Sequence, residues 1–157
     1  MTELPPGLWL MLGGLLLPLW PRGRPWLVVG LPLLVLYQIM GVPDGVVLTL
    51  DFLDHQLIPL RGEGAGRLFA TAFALAALAG GIFALKRAST LELAAAWVYA
   101  GAAIVVTLSG DWLTLFIFWE IMAIASAVVI LAGRSDRAGA AAFRYILIHL
   151  LGGVLLM

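Results

Sequence analysis

Two side chains able to hold and hand on a proton lie in runs that are otherwise apolar. Glu120 sits in DWLTLFIFWEIMAIASAVVILA at 111–132, and His149 in AAAFRYILIHLLGGVLL at 140–156. The first run can cross a bilayer, since about 20 residues at 1.5 Å rise cover a hydrocarbon core of about 30 Å. A charged carboxylate at the centre of such a helix costs on the order of 2.5–3.5 kcal/mol, so it needs a partner, water or a proton. An ionisable group at that depth reads as part of an ion or proton path, or else as a hydrogen-bonding anchor to a neighbouring helix. Counted from the turn between the runs, Glu120 and His149 are each roughly a dozen residues in, which places both near the midplane. They share a level, so they are a candidate proton-exchanging pair, histidine being the side chain that changes charge near neutral pH. For His149 the structural alternative is an imidazole bonded to a neighbour's backbone. Arg144 lies about 9 Å into the second run, where its guanidinium must reach out to the interface or bind a carboxylate. Tyr145 beside it adds a hydroxyl.

Composition says what surrounds these groups. Of 157 residues, 63% are hydrophobic and 11% charged, with a mean hydropathy of +1.08; a soluble domain carries about 25% charged residues. This is the composition of a polytopic membrane protein whose surroundings are the lipid bilayer. Formal net charge is zero, so nothing points to nucleic acid. No cysteine is present, which excludes disulfides, thiolate metal sites and cysteine nucleophiles. His55 and His149 have no metal-like spacing. LAGG at 78–81 lies in an apolar run with no lysine in register behind it, so it is not a phosphate loop. No cofactor and no metal are expected.

Turn signals at PRGRP (21–25), GVPDG (41–45), KRAST (86–90) and GRSDRAG (133–139) divide the chain into helices. They are predicted at 5–20, 26–40, 67–85, 91–109, 111–132 and 140–157. The interval 46–66 differs: VVLTLDF alternates like a strand, and LDHQLIPLRGEGAG holds most of the loop charge. It is predicted to be an extramembrane loop with a small β-hairpin. Ser89 or Thr90 can cap the fourth helix, with Glu92 in its first turn, and Asp111 opens the fifth, both acids being favoured there by the helix dipole. The fold class is therefore all-α, a polytopic membrane bundle of about six transmembrane helices. Residues 1–66 hold two spans and an outer loop, and 67–157 hold helices 3–6.

Arg22, Arg24, Lys86, Arg87, Arg134 and Arg137 fall in the turns after helices 1, 3 and 5, against only Arg61 and Arg67 on the other side. Cytoplasmic loops carry the excess of basic residues, so the N-terminus is predicted outside. Trp9, Trp20, Trp26, Trp97 and Trp112 lie near predicted span ends, as an interfacial belt requires.

GDWLTLFIFWEIMAIAS (110–126) and AAAFRYILIHLLGGVLL (140–156) resemble the antiporter-like membrane subunits shared by NADH:quinone oxidoreductase (complex I), membrane-bound hydrogenases and Mrp-type Na+/H+ antiporters, with the likeness running toward the Mrp D-type and hydrogenase branch. The family pattern of an acid opening helix 5 and an intramembrane glutamate after an aromatic residue is matched by Asp111 and by Trp119 with Glu120. A run of alanines and a basic-aromatic pair on helix 6 are matched by Arg144 and Tyr145. LRGEGAGRLFA at 60–70 is similar to the family's loop into helix 3, with Glu63 where an aspartate is usual. The resemblance implies that Glu120 carries protons and that its partner is a lysine on a broken helix 7. The chain ends before that helix, so the expectation is a fragment or one part of a split subunit, equivalent to the N-terminal third.

From this the expected function is a membrane subunit of a proton- or cation-translocating complex of the Na+/H+ antiporter or NADH-quinone oxidoreductase type, in a bacterial plasma membrane. Glu120, His149 and Arg144 are the candidate translocation residues, with Asp111, Tyr145 and Glu63 supporting. Expected partners are other membrane subunits, protons and Na+; any redox activity would belong to the assembly. The alternatives are a scaffolding subunit with Glu120 as a buried hydrogen-bond anchor, and a small homo-oligomeric transporter. A membrane enzyme is the weakest reading, because no nucleophile-base constellation is visible.

Overall fold

The computed structural model describes residues 4–20, 24–133 and 135–156. Peptide groups in hydrocarbon must be satisfied within their own segment, which leaves helices as the economical solution for a chain this apolar. The described residues form α1 (Pro6–Leu16), α2 (Arg24–Met40), α3 (Gly64–Ala84), α4 (Thr90–Leu108), α5 (Trp112–Ala132) and α6 (Ala138–Leu156). Between α2 and α3 stand β1 (Gly45–Phe52) and β2 (His55–Gly62).

Two expectations are corrected here. Among the described residues four helices, α3 to α6, are long and apolar enough to cross a membrane, where six were expected. The physical reason lies in the first two. Pro18 lacks the N–H that would continue α1, so the helix stops at Leu16 and tightens into one 3-10 turn at Leu17–Leu19. Among the described residues α2 has 17 residues, about 26 Å at 1.5 Å per residue, about 4 Å less than a hydrocarbon core. The chain is also not purely α. β1 and β2 pair antiparallel from Gly45 with Gly62 to Phe52 with His55. Leu53 and Asp54 close the hairpin with φ of 45° and 63°, the positive pair that a two-residue turn between twisted strands demands. The expected loop hairpin is thus present. Of the residues used in the orientation argument, Arg22 and Arg134 lie outside the described residues, as does the terminal Met157.

α4 is the centre of the bundle. α1, α3 and α5 all pack on it, while α2 leans on α3 and α6 on α5. Ser89 caps α4 reciprocally, its hydroxyl accepting from the Glu92 N–H while the Glu92 carboxylate accepts from the Ser89 N–H. Trp97 was expected in an interfacial belt; it is instead buried in the core, 1% exposed, beside Leu10 and Val28. Trp9, Trp20, Trp26 and Trp112 do remain at the surface. Where α1 crosses α4, backbone approaches backbone: a Cβ on Gly101 would stand 2.4 Å from the Gly7 oxygen.

Long-range bonds tie the ends of the bundle. Arg24 donates from Nη2 to the Ala88 oxygen at 2.8 Å, joining the start of α2 to the α3–α4 turn. At the other end Arg67 donates to the Val42 oxygen at 3.0 Å and pairs with Asp44. Gly101→Val is expected to cost about 3 kcal/mol through forced separation of α1 from α4. Gly30→Val, where a Cβ meets nothing within 4 Å, is expected to change little. Thermal unfolding of the two variants in detergent checks both outcomes.

Candidate functional site

α5 is anchored at its first residue. Asp111 is its N-cap, and Oδ1 accepts from the Thr114 N–H at 2.8 Å. Oδ2 accepts from the Ile58 N–H of β2 at 2.6 Å, and the Gly110 N–H donates to the Ile58 oxygen at 2.8 Å. Both peptide groups of one hairpin residue are thereby satisfied by the α4–α5 turn. Burial pushes the Asp111 carboxyl up. The Thr114 hydroxyl beside it, short of full hydrogen-bond geometry, and the N–H groups of Thr114, Ile58 and Leu113 outweigh that and hold it below the usual carboxylate range.

About 14 Å further along from Asp111, Glu120 reaches the interface with α6. Its Oε1 is buried and has no hydrogen-bond partner. The carboxyl lies against Gly153: a Cβ there would stand 2.6 Å from Oε1 and 3.2 Å from Cε2 of Phe116. His149 is one helical turn before Gly153 and therefore on the same face of α6. Its ring centroid is 5.6 Å from that of Trp119 and 5.9 Å from that of Tyr145. Its Nε2 is also buried without a partner. The structure thus brings Glu120, His149 and Tyr145 to one interface, although no hydrogen bond or ion pair joins Glu120 to His149 among the described residues.

The remaining candidates lie apart. Arg144 is exposed on α6 and has no carboxylate partner among the described residues. Glu63 precedes α3 as its N-cap and pairs with Arg61 at 2.8 Å, both side chains being about half exposed. Asp111 acts on the site only through the helix it starts. Gly153 is not among the sequence-derived candidates; the signal for it is its spacing of four from His149, which puts both on one stripe. Two of the buried polar atoms without partners among the described residues therefore lie at this interface, each costing roughly 1–3 kcal/mol if left unpaired.

Helices, hairpin and interhelical ionisable groups together define a multi-pass helical membrane protein. Residues 109–157 match the family described as NADH:quinone oxidoreductase/Mrp antiporter, transmembrane region. The match covers less than a third of the chain but includes all of α5 and α6, and with them Glu120 and His149. No curated protein and no solved structure matches the chain.

Asp111→Ala is expected to cost roughly 2 kcal/mol through the lost cap and the lost bond to Ile58, read as faster hydrogen exchange at the Ile58 amide. The folded Asp111 titrates below its unfolded value, so its contribution is complete above about pH 3.9 and fades as pH falls through the lower folded value. Hairpin protection in the parent protein should therefore persist through mild acid and weaken only below that range. Separately, Gly153→Ala should displace the Glu120 carboxyl and shift its infrared stretching band. Gly152→Ala, where a Cβ meets nothing within 4 Å, should leave the band in place.

Proposed function

We propose that this chain is a membrane subunit of a proton- or cation-translocating complex of the Na+/H+ antiporter or NADH-quinone oxidoreductase type, with Glu120 as its intramembrane proton carrier. The observation that carries the reading is the placing of two buried titratable atoms without hydrogen-bond partners, Glu120 Oε1 and His149 Nε2, at a single helix-helix interface. The family match over the same helices supports it. In this reading Glu120 takes up a proton when no cation is near and releases it when one approaches. His149, flanked by Trp119 and Tyr145, passes the proton along the midplane. Arg144 sets the field on the side where α6 begins. Other membrane subunits supply the driving reaction or gradient, and protons and Na+ are the ions in question. The setting is a bacterial plasma membrane.

The competing assignment is a scaffolding subunit in which Glu120 is only a hydrogen-bonding anchor. Cation-dependent proton flux in vesicles carrying the whole complex separates the two. Glu120→Gln keeps shape and hydrogen-bonding capacity but carries no proton, so flux should fall at least 10-fold, to about the level of Glu120→Ala. Full flux with Glu120→Gln and reduced assembly with Glu120→Ala would leave only the anchor.

A further inference from the structure

Between α3 and α4 the structure holds a groove of about 490 Å³. Small residues line one side of it, Gly80, Gly81 and Ala84 of α3 with Ala96 and Ala100 of α4, while larger ones such as Trp97, Tyr99 and Val129 of α5 close the rest. It runs from Ala84 down to Phe73, about 16 Å at 1.5 Å per residue, and one leaflet of hydrocarbon is about 15 Å thick. The groove therefore has the length of a single acyl chain. Gly80 faces open space, with nothing within 4 Å of where a Cβ would be.

Among the described residues the one charged side chain lining the groove is Glu92, and the basic residues stand beside its mouth, on the turn above it. The turn that supplies Ala84 and Ala88 also carries Lys86 and Arg87, both exposed and neither paired with a carboxylate among the described residues. Arg87 is steadied over the Phe83 ring, 5.4 Å from its centroid. The oxygen of Ala88 holds the Arg24 guanidinium at 2.8 Å, bringing a third cation to the same place. Basic groups at the end of an interhelical groove attract anionic lipid headgroups. Glu92 lines the groove one turn below the mouth, its carboxylate engaged by the Ser89 N–H. Its negative charge repels a phosphate from the groove's interior, so only the cations on the turn can attract one.

We propose that this groove binds one anionic phospholipid, with its phosphate among Lys86, Arg87 and Arg24 and one acyl chain along Gly80 and Gly81. The site would lie on the face whose charge marks it as cytoplasmic. It is separate from the Glu120 interface on α5 and α6, and it does not depend on the transport reading.

Native mass spectrometry of the full chain, released from detergent with phosphatidylglycerol or phosphatidylcholine of identical acyl chains, tests this. One phosphatidylglycerol should stay bound where phosphatidylcholine is lost. Lys86→Gln with Arg87→Gln should weaken phosphatidylglycerol on the order of 30-fold and abolish the preference. Gly80→Leu should expel phosphatidylglycerol as well while helical circular dichroism is unchanged. Arg137→Gln, on the same face but away from the groove, should have no effect. Equal retention of the two lipids, an Arg137→Gln loss matching that of the double variant, wild-type binding by Gly80→Leu, or lipid-free dimers filling the groove with a second copy would each overturn the proposal.

Discussion

Where α1 crosses α4, Gly7 and Gly101 face each other with no side chain between them, and the two backbones meet. In hydrocarbon there is no hydrophobic force to press helices together, so association rests on dispersion contact and on how closely the chains can approach. That contact sets α1 against α4, and α4 in turn is the wall on which α3 and α5 are laid. The buried series Leu93, Trp97, Ile104 and Leu108 along α4 is complete only because these neighbours cover it. A side chain at the crossing would pull the first helix away and expose the centre of the bundle.

α5 occupies a particular place in this arrangement. One face lies on α4, its first residue is bonded to the hairpin through Ile58, and its other face receives α6. The polar fastening is concentrated at the hairpin end. Further along, by contrast, the α5–α6 interface is held by the Trp119–His149 ring contact and by the seat that Gly153 leaves for the Glu120 carboxyl. A rigid, anchored helix thus presents its one interior acid to a helix packed chiefly on that side. This is the portion of the chain that matches the NADH:quinone oxidoreductase/Mrp antiporter family.

Much of this was legible in the residues. The ends of α3, α4 and α5 fall within a few residues of where KRAST, the Asp111 cap and the glycine turns place them, because capping and turn chemistry act over three or four residues. The hairpin was legible for the same reason: alternation of VVLTLDF and a turn at Leu53 and Asp54 are local properties. The count of spanning helices was not. A hydropathy reading adds Leu17 to Trp20 to the first helix, whereas the missing N–H of Pro18 ends it early. Trp97 misled in another way, since an indole seven residues into a helix suits an interface or a core equally, and only the arrival of α1 and α2 decides between them.

The sequence by itself determined that this is a helical membrane chain with an acid and a histidine at a common depth, because length, hydropathy and rise per residue are properties of each segment alone. It could not determine helix rotation, since an apolar helix has no strongly polar face to orient it in lipid. Rotation is decided by contacts between segments: small residues that let α1 meet α4, Asp111 reaching Ile58, and Gly153 opposite Glu120. Only that packing turned Glu120 and His149 toward one interface and left Arg144 outside it.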